Sequence, residues 1–234
     1  MGAVKSKRIP RAVREQQMLD AAVRTFARRG YRAASMDEIA ELAGVSKPLV
    51  YLYLNSKEEL FTACIRREAR TLVAAIRSAV EPEAPADRQL WSGLYGFFSH
   101  TAAHPDGWAV LHVQARTQGE PFALEAAAMR AEIVKLVTRQ IEAAAQETGC
   151  ASGPDARETA ALAQALVGAA ESLADWAAAG TGDADAGTGS GGRESRSAKE
   201  AAATLMNLVW AGLENLIRGE SWSPGRQESG AVGR

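Results

Sequence analysis

The sequence predicts an all-α protein: an N-terminal three-helix helix-turn-helix domain followed by a larger helical domain. Three observations carry that prediction. Alanine is very abundant while aromatic residues make up only 6% of the 234 residues, a balance that favours helix over sheet. Apolar residues recur at spacings of three and four along most of the chain. Capping residues and glycine corners punctuate those periodic runs at helix-length intervals.

The elements follow in order. Residues 1–10 form a basic tail without apolar periodicity, expected to be disordered. From Arg11 a helix begins, with Leu19, Ala22, Val23 and Phe26 on one face and Gly30 at its end. Ser35-Met36-Asp37-Glu38 reads as a capping box for a short helix to Ala43 that buries Ile39 and Ala40. Gly44 supplies the left-handed residue of a tight corner. Ser46 is an N-cap, Pro48 stands in the first turn, and Lys47 to Leu54 is the next short helix. Ser56-Lys57-Glu58-Glu59 opens a long helix to about Val80.

After a proline-bearing link at 81–85, an aromatic-bearing helix spans Arg88 to Ala103 and ends near His104-Pro105. A short helix follows from Asp106 to Thr117, and a long one from Pro121 to about Thr148. Residues 149–154 break it. An alanine-rich helix then runs from Asp155 to Ala179. Residues 181–196 hold Gly, Asp, Ser and Thr without a large apolar side chain and are expected to form a flexible loop. Ser197 caps the last helix, and 219–234 reads as a disordered tail. The domain boundaries expected are 11–57 for the helix-turn-helix and 58–218 for the helical body.

Charge is distributed unevenly. Nine Lys or Arg between Met1 and Ala34 face only Glu15 and Asp20, so that segment carries about +7 and the remainder about -8 of the overall -1. A basic end on an acidic body suits a polyanion at that end; a merely solvated tail is the other reading. Lys5, Lys7, Arg8 and Arg11 either enter a minor groove or only add counterion release. Cys64 and Cys150 lie far apart without metal spacing, which fits a reducing cytoplasm. No run is apolar over a bilayer's length, so no membrane partner is expected. The chain lacks a glycine-rich phosphate loop, a nucleophile elbow and a metal-ligand cluster, so neither catalysis nor a cofactor is expected. His100 and His104 stand four apart, but no third ligand is near, and no metal site is expected.

The run from Ala33 to Phe61, AASMDEIAELAGVSKPLVYLYLNSKEELF, resembles the signature of the TetR family of bacterial transcriptional regulators, and QMLDAA at 17–22 with Phe26 to Tyr31 resembles its first helix. The resemblance covers about residues 11–65; Leu54 departs from it, standing where the family usually has phenylalanine. It implies a homodimer that binds palindromic double-stranded operator DNA at the nucleoid and is released by a small-molecule effector, as a repressor. Activation, or an architectural DNA-coating role without an effector, are the alternatives.

The resemblance further implies that Lys47 to Tyr53 is the recognition helix. Lys47 suits the O6 and N7 of guanine, and Leu49 a thymine methyl; Pro48 has no donor. Tyr51 is expected at a base or sugar edge. Ser35, Tyr53 and Lys57 match phosphate-contacting positions, and the capped starts at Ser35 and Ser46 offer amides to phosphate. Packing is the alternative role for the two tyrosines. The effector pocket implied lies among the middle helices, with Trp91, Tyr95, Phe98, Trp108, His112, Phe122, Glu171 and Trp176 as candidate lining, each aromatic having plain core as its alternative. The dimer interface implied lies on the last two long helices, at Leu162, Ala165, Leu166, Ala169 and Leu173, and at Leu205, Met206, Val209, Leu213 and Leu216. Packing within one chain is the alternative there.

Overall fold

The computed structural model describes residues 10–148, 154–180 and 190–218. Within them the elements are α1 (Arg11–Ala33), α2 (Met36–Leu42), α3 (Lys47–Leu54), α4 (Lys57–Ala79), α5 (Ala86–Ala103), α6 (Pro105–Ala109), α7 (Ala115–Thr117), α8 (Phe122–Thr148), α9 (Ala156–Gly180) and α10 (Ser190–Ile217), with a π-helical turn, Val110–Gln114, joining α6 to α7. No strand occurs among the described residues. None of their helices is long and apolar enough to cross a membrane.

The first three helices close around one small core. Met18, Ala22 and Phe26 of α1, Ile39 of α2 and Val50 of α3 are all fully buried. The corner between α2 and α3 is a Schellman turn: the Val45 amide donates to the Ala40 carbonyl and the Gly44 amide to the Glu41 carbonyl, each at 3.0 Å. Gly44 sits at φ +65° with open space where a Cβ would point, so conformation and not room requires glycine there. Gly30 likewise breaks α1, at φ 76° and ψ 161°, three residues before it ends at Ala33.

Two capping expectations are corrected. The Ser35 hydroxyl accepts the amide of Asp37, not of Glu38; the Glu38 carboxylate instead takes Arg29, so no reciprocal box forms. Ser56 does accept the Glu59 amide, at 3.0 Å. Ser46 caps by position, its carbonyl receiving the amides of Leu49 and Val50 without help from its side chain.

α4 is the spine. Leu60, Phe61, Cys64 and Ile65 face the helix-turn-helix core, while Leu72, Val73 and Ile76 face the body. It packs against α1, α5 and α8. The approach to α5 is close, because an added Cβ at Gly96 would stand 2.7 Å from the Ala79 Cβ. Burial pushes the Cys64 thiol far up, so it is a core residue and not a nucleophile.

The last helix differs from expectation. α10 begins at Ser190, which places Ser197 inside it and not at its cap. Periodicity missed that first turn because 190–196 offers no apolar stripe. Of the loop expected at 181–196, residues 181–189 lie outside the described residues, as do 1–9, 149–153, Cys150 and 219–234.

Candidate nucleic-acid interface and effector cavity

α3 buries only Val50 of its eight residues. Lys47, Pro48, Tyr51 and Leu52 are exposed, Leu49 and Tyr53 partly so. The cations around α3 are anchored. Lys47 Nζ donates to Asp37 Oδ2 at 2.9 Å, which raises its pKa. Lys57 Nζ donates to the Arg32 carbonyl at 3.0 Å and lies 4.9 Å from the centre of the Tyr31 ring; partial burial lowers its pKa. The Tyr53 ring carries the Arg11 guanidinium at 4.8 Å, so this residue holds the start of α1 as well as flanking α3. Ser35 and Ser46 are exposed at the starts of α2 and α3. Leu52, 73% exposed, is the outer-face residue that the sequence reading passed over. Its position four residues after Pro48 is the signal that places it on that face.

In the body, a cavity of about 480 Å³ lies between α4, α5, α8 and α9. Its walls are apolar, with Ile76, Leu94, Phe97, Ile133, Val137 and Val167 prominent. The lining on α5 runs from Gln89 to Phe97, which at 1.5 Å per residue makes the cavity roughly 12 Å long. Gln140 lies beside Gly93, and Gln89, whose Nε2 donates to the Pro82 and Ala84 carbonyls, and Arg139 also line the cavity. Trp108 and Glu171 line it as well. Trp108 packs edge-on to Phe97 at 5.5 Å and donates its indole N–H to Asp175 Oδ1 at 2.8 Å. Glu171 is buried and pairs with Arg130 at 3.2 Å.

Of the eight effector candidates, Trp108 and Glu171 line this cavity. The other six candidates do not. His112 stands behind the wall: its ring stacks on Trp108 at 4.6 Å, its Nδ1 lies 2.8 Å from Asp175 Oδ2, and its Nε2 lies 2.6 Å from the Arg116 guanidinium. Phe98 is core beside Phe97. Trp91 and Tyr95 stack on each other, half-buried, outside the lining. Phe122 joins Tyr31 and Phe61 in the aromatic cluster between the helix-turn-helix and the body. Trp176 is 74% exposed. The aromatic content of the middle helices thus serves mostly as packing. The polar lining that was missed, Gln89, Arg139 and Gln140, was legible only as polar interruptions of apolar helical stripes.

The helix-turn-helix meets this wall through the π-helical turn. Gln114 Oε1 accepts the Tyr31 amide at 3.4 Å, and an added Cβ at Gly30 would approach that oxygen to 3.2 Å. A second joint is ionic and partly buried. Arg67 pairs with Asp20 of α1 and with its neighbour Glu68, both at 2.7 Å, and Gly107 of α6 leaves room for the Glu68 carboxylate.

The proposed dimer residues divide. Leu166 is part of the cavity wall, and Leu205 and Leu213 are buried within their own chain, so these three are corrected to interior positions. Ala165 is exposed, and Leu162, Ala169, Leu173, Met206, Val209 and Leu216 are half-buried. The outward faces of α9 and α10 also carry Trp176 and Leu208, each 74% exposed. The His100 and His104 rings stack at 4.3 Å, and no group of three metal-ligating residues occurs among the described residues.

Residues 18–64 match the model of bacterial regulatory proteins of the tetR family, and residues 86–212 that of the tetracyclin repressor-like C-terminal domain. A TetR-like transcriptional regulator from Rhodococcus sp. RHA1 has a solved structure that superposes with a TM-score of 0.70 at 38% identity, covering 88% of this chain and 99% of that one. The transcriptional activator FasR of Mycolicibacterium smegmatis is 37% identical over 110 residues, 47% of this chain; the match spans half of that relative's length. The regulator FadR of Bacillus subtilis, solved in complex with stearoyl-CoA, shares the fold with a TM-score of 0.67 at 18% identity, covering 88% of this chain and 99% of that one.

Proposed function

The chain belongs to the TetR family of bacterial regulatory proteins, and from that premise we propose that it regulates transcription as a homodimer, gripping palindromic operator DNA with α2 and α3 and altering that grip when a small, largely apolar effector fills the body cavity. The observation that carries the reading is the union of both devices on one spine. α4 begins at the helix-turn-helix core and ends in the cavity wall at Ile76 and Val80. A ligand that fits only when α4 tilts moves both recognition helices off their spacing, ~34–36 Å or a multiple of it.

Lys47, Pro48, Leu49 and Tyr51 are the candidates for base edges; Ser35, Ser46, Tyr53 and Lys57 are those for phosphates. The exposed large apolar side chains Trp176 of α9 and Leu208 of α10 support dimerisation through those helices. The expected domain division is 11–57 for DNA and 58–218 for effector and partner, and the expected location is the cytoplasm, at the nucleoid.

The apolar walls, with Arg139 and Gln140 among them, favour a largely apolar effector that carries a polar group. FadR of Bacillus subtilis, which shares the fold, was solved with stearoyl-CoA, and this makes an acyl compound the first ligand to test. Repression is the first reading. Activation is the second, favoured by the name that the FasR relative carries.

Selection of bound duplexes from a random pool, followed by footprinting with and without stearoyl-CoA, tests the proposal. A discrete palindrome released by the ligand is expected, with a coupling of ~1–3 kcal/mol that operator DNA exerts equally on the ligand. Uniform protection, or ligand affinity indifferent to saturating operator, would overturn the effector reading.

A further inference from the structure

We propose that the recognition helix reads thymine by its methyl group, with Leu52 as the specificity-determining side chain beside Tyr51; this rests on the DNA-binding reading above. On a helix, Lys47, Pro48, Tyr51, Leu52 and Asn55 share the outward arc, and all five are exposed. Sequence-specific hydrogen bonding in the major groove ordinarily comes from Arg, Lys, Asn or Gln. α3 and its C-cap contain only two such side chains, and both are held by carboxylates of their own chain. Lys47 Nζ sits 2.9 Å from Asp37 Oδ2, and Asn55 Nδ2 donates to Glu59 Oε2 at 2.8 Å. What remains on the arc is the proline ring, the Tyr51 ring and the Leu52 side chain. Leu52 is 73% exposed among the described residues.

The groove offers one apolar feature to such a surface, the C5 methyl of thymine. The surroundings fit duplex DNA and not an apolar protein partner. Arg11 lies over the Tyr53 ring of α3, Lys47 opens α3 and Lys57 follows its C-cap, cations that suit phosphate. Seating Leu52 on a methyl removes both from water without unpairing a hydrogen bond. Each half-site should therefore present thymine under the middle of α3.

The test is a binding series at one salt concentration. It uses the full chain and the selected operator, with each thymine in turn replaced by deoxyuridine. That change deletes only the methyl and keeps the Watson–Crick pair. Loss of about fourfold in affinity is expected at one or two positions in each half-site, as burial of one methyl-sized group implies. Leu52→Ala should erase that ratio at one of those positions while leaving the salt slope unchanged. Leu52→Gln should shift preference there towards adenine. Because Leu52 is exposed, neither variant should alter the melting temperature. Equal affinity for thymine and deoxyuridine operators, or the same ratio in Leu52→Ala, would overturn methyl readout while leaving DNA binding intact. Absence of any salt-dependent duplex binding would overturn both, and pairing of the Leu52 face with a second copy in sedimentation would assign that face to protein.

Discussion

At the scale of single residues, the pairing of Lys47 with Asp37 bears on the proposed DNA contact. Both side chains are solvent-rich, so the pair adds little to stability. On the proposed reading its greater effect is to offset a cation that would otherwise face the DNA. Asp37→Asn should tighten binding to all duplexes and steepen the dependence of log K on log salt by about one unit; an unchanged slope in a salt titration would show that Lys47 already turns to the DNA. A second residue-scale consequence concerns pH. Burial, with the neighbouring His104 charge adding, pushes His100 down to about 4 from its ordinary 6.5. Between those values the unfolded chain binds the proton that the folded chain refuses, so stability falls as pH drops from about 6.5 to about 4. His100→Gln should flatten that part of the slope, read from urea midpoints at pH 7 and pH 5 for both proteins. Neither contact was visible in the sequence as such. His100 and His104 stood out for their four-residue spacing, yet whether they bind a metal or merely stack depends on what surrounds them.

At the scale of elements, the sequence placed the helices well where polar and apolar positions alternate strongly. α2 and α3, with the glycine corner between them, stand where caps and periodicity put them. Errors fell where local chemistry competes. The Ser35 hydroxyl had two amides within reach, and Arg29 drew Glu38 away. The single short helix expected after His104 is instead broken by a π-helical turn, Val110–Gln114. No local residue announces that turn; it positions His112 against Asp175 and Gln114 against the Tyr31 amide. Gln114→Ala should therefore leave the effector's affinity for the free protein unchanged and weaken its coupling to operator binding by ~0.5–2 kcal/mol. Isothermal titration of ligand with and without saturating operator measures this, and undiminished coupling would remove the turn from the path between the two sites.

At the scale of the whole molecule, α9 and α10 expose Trp176 and Leu208, and the proposed dimer would cover them. Trp176→Glu should convert the dimer to monomer in sedimentation and reduce palindrome binding to that of a half-site, with the thermal transition of the monomer retained. A variant that stays dimeric would place the interface elsewhere. The sequence by itself determined the all-helical class, the helix-turn-helix and its corner, and which residues form its core, because caps, a left-handed glycine and apolar periodicity act within a few residues of one another. Tertiary structure alone decided which of the aromatic residues line a cavity, which cations remain free to meet DNA and which leucines face outward. Those outcomes depend on how helices distant in sequence cross, and a buried aromatic carries the same periodic signal whether it fills a core or borders a hole within it.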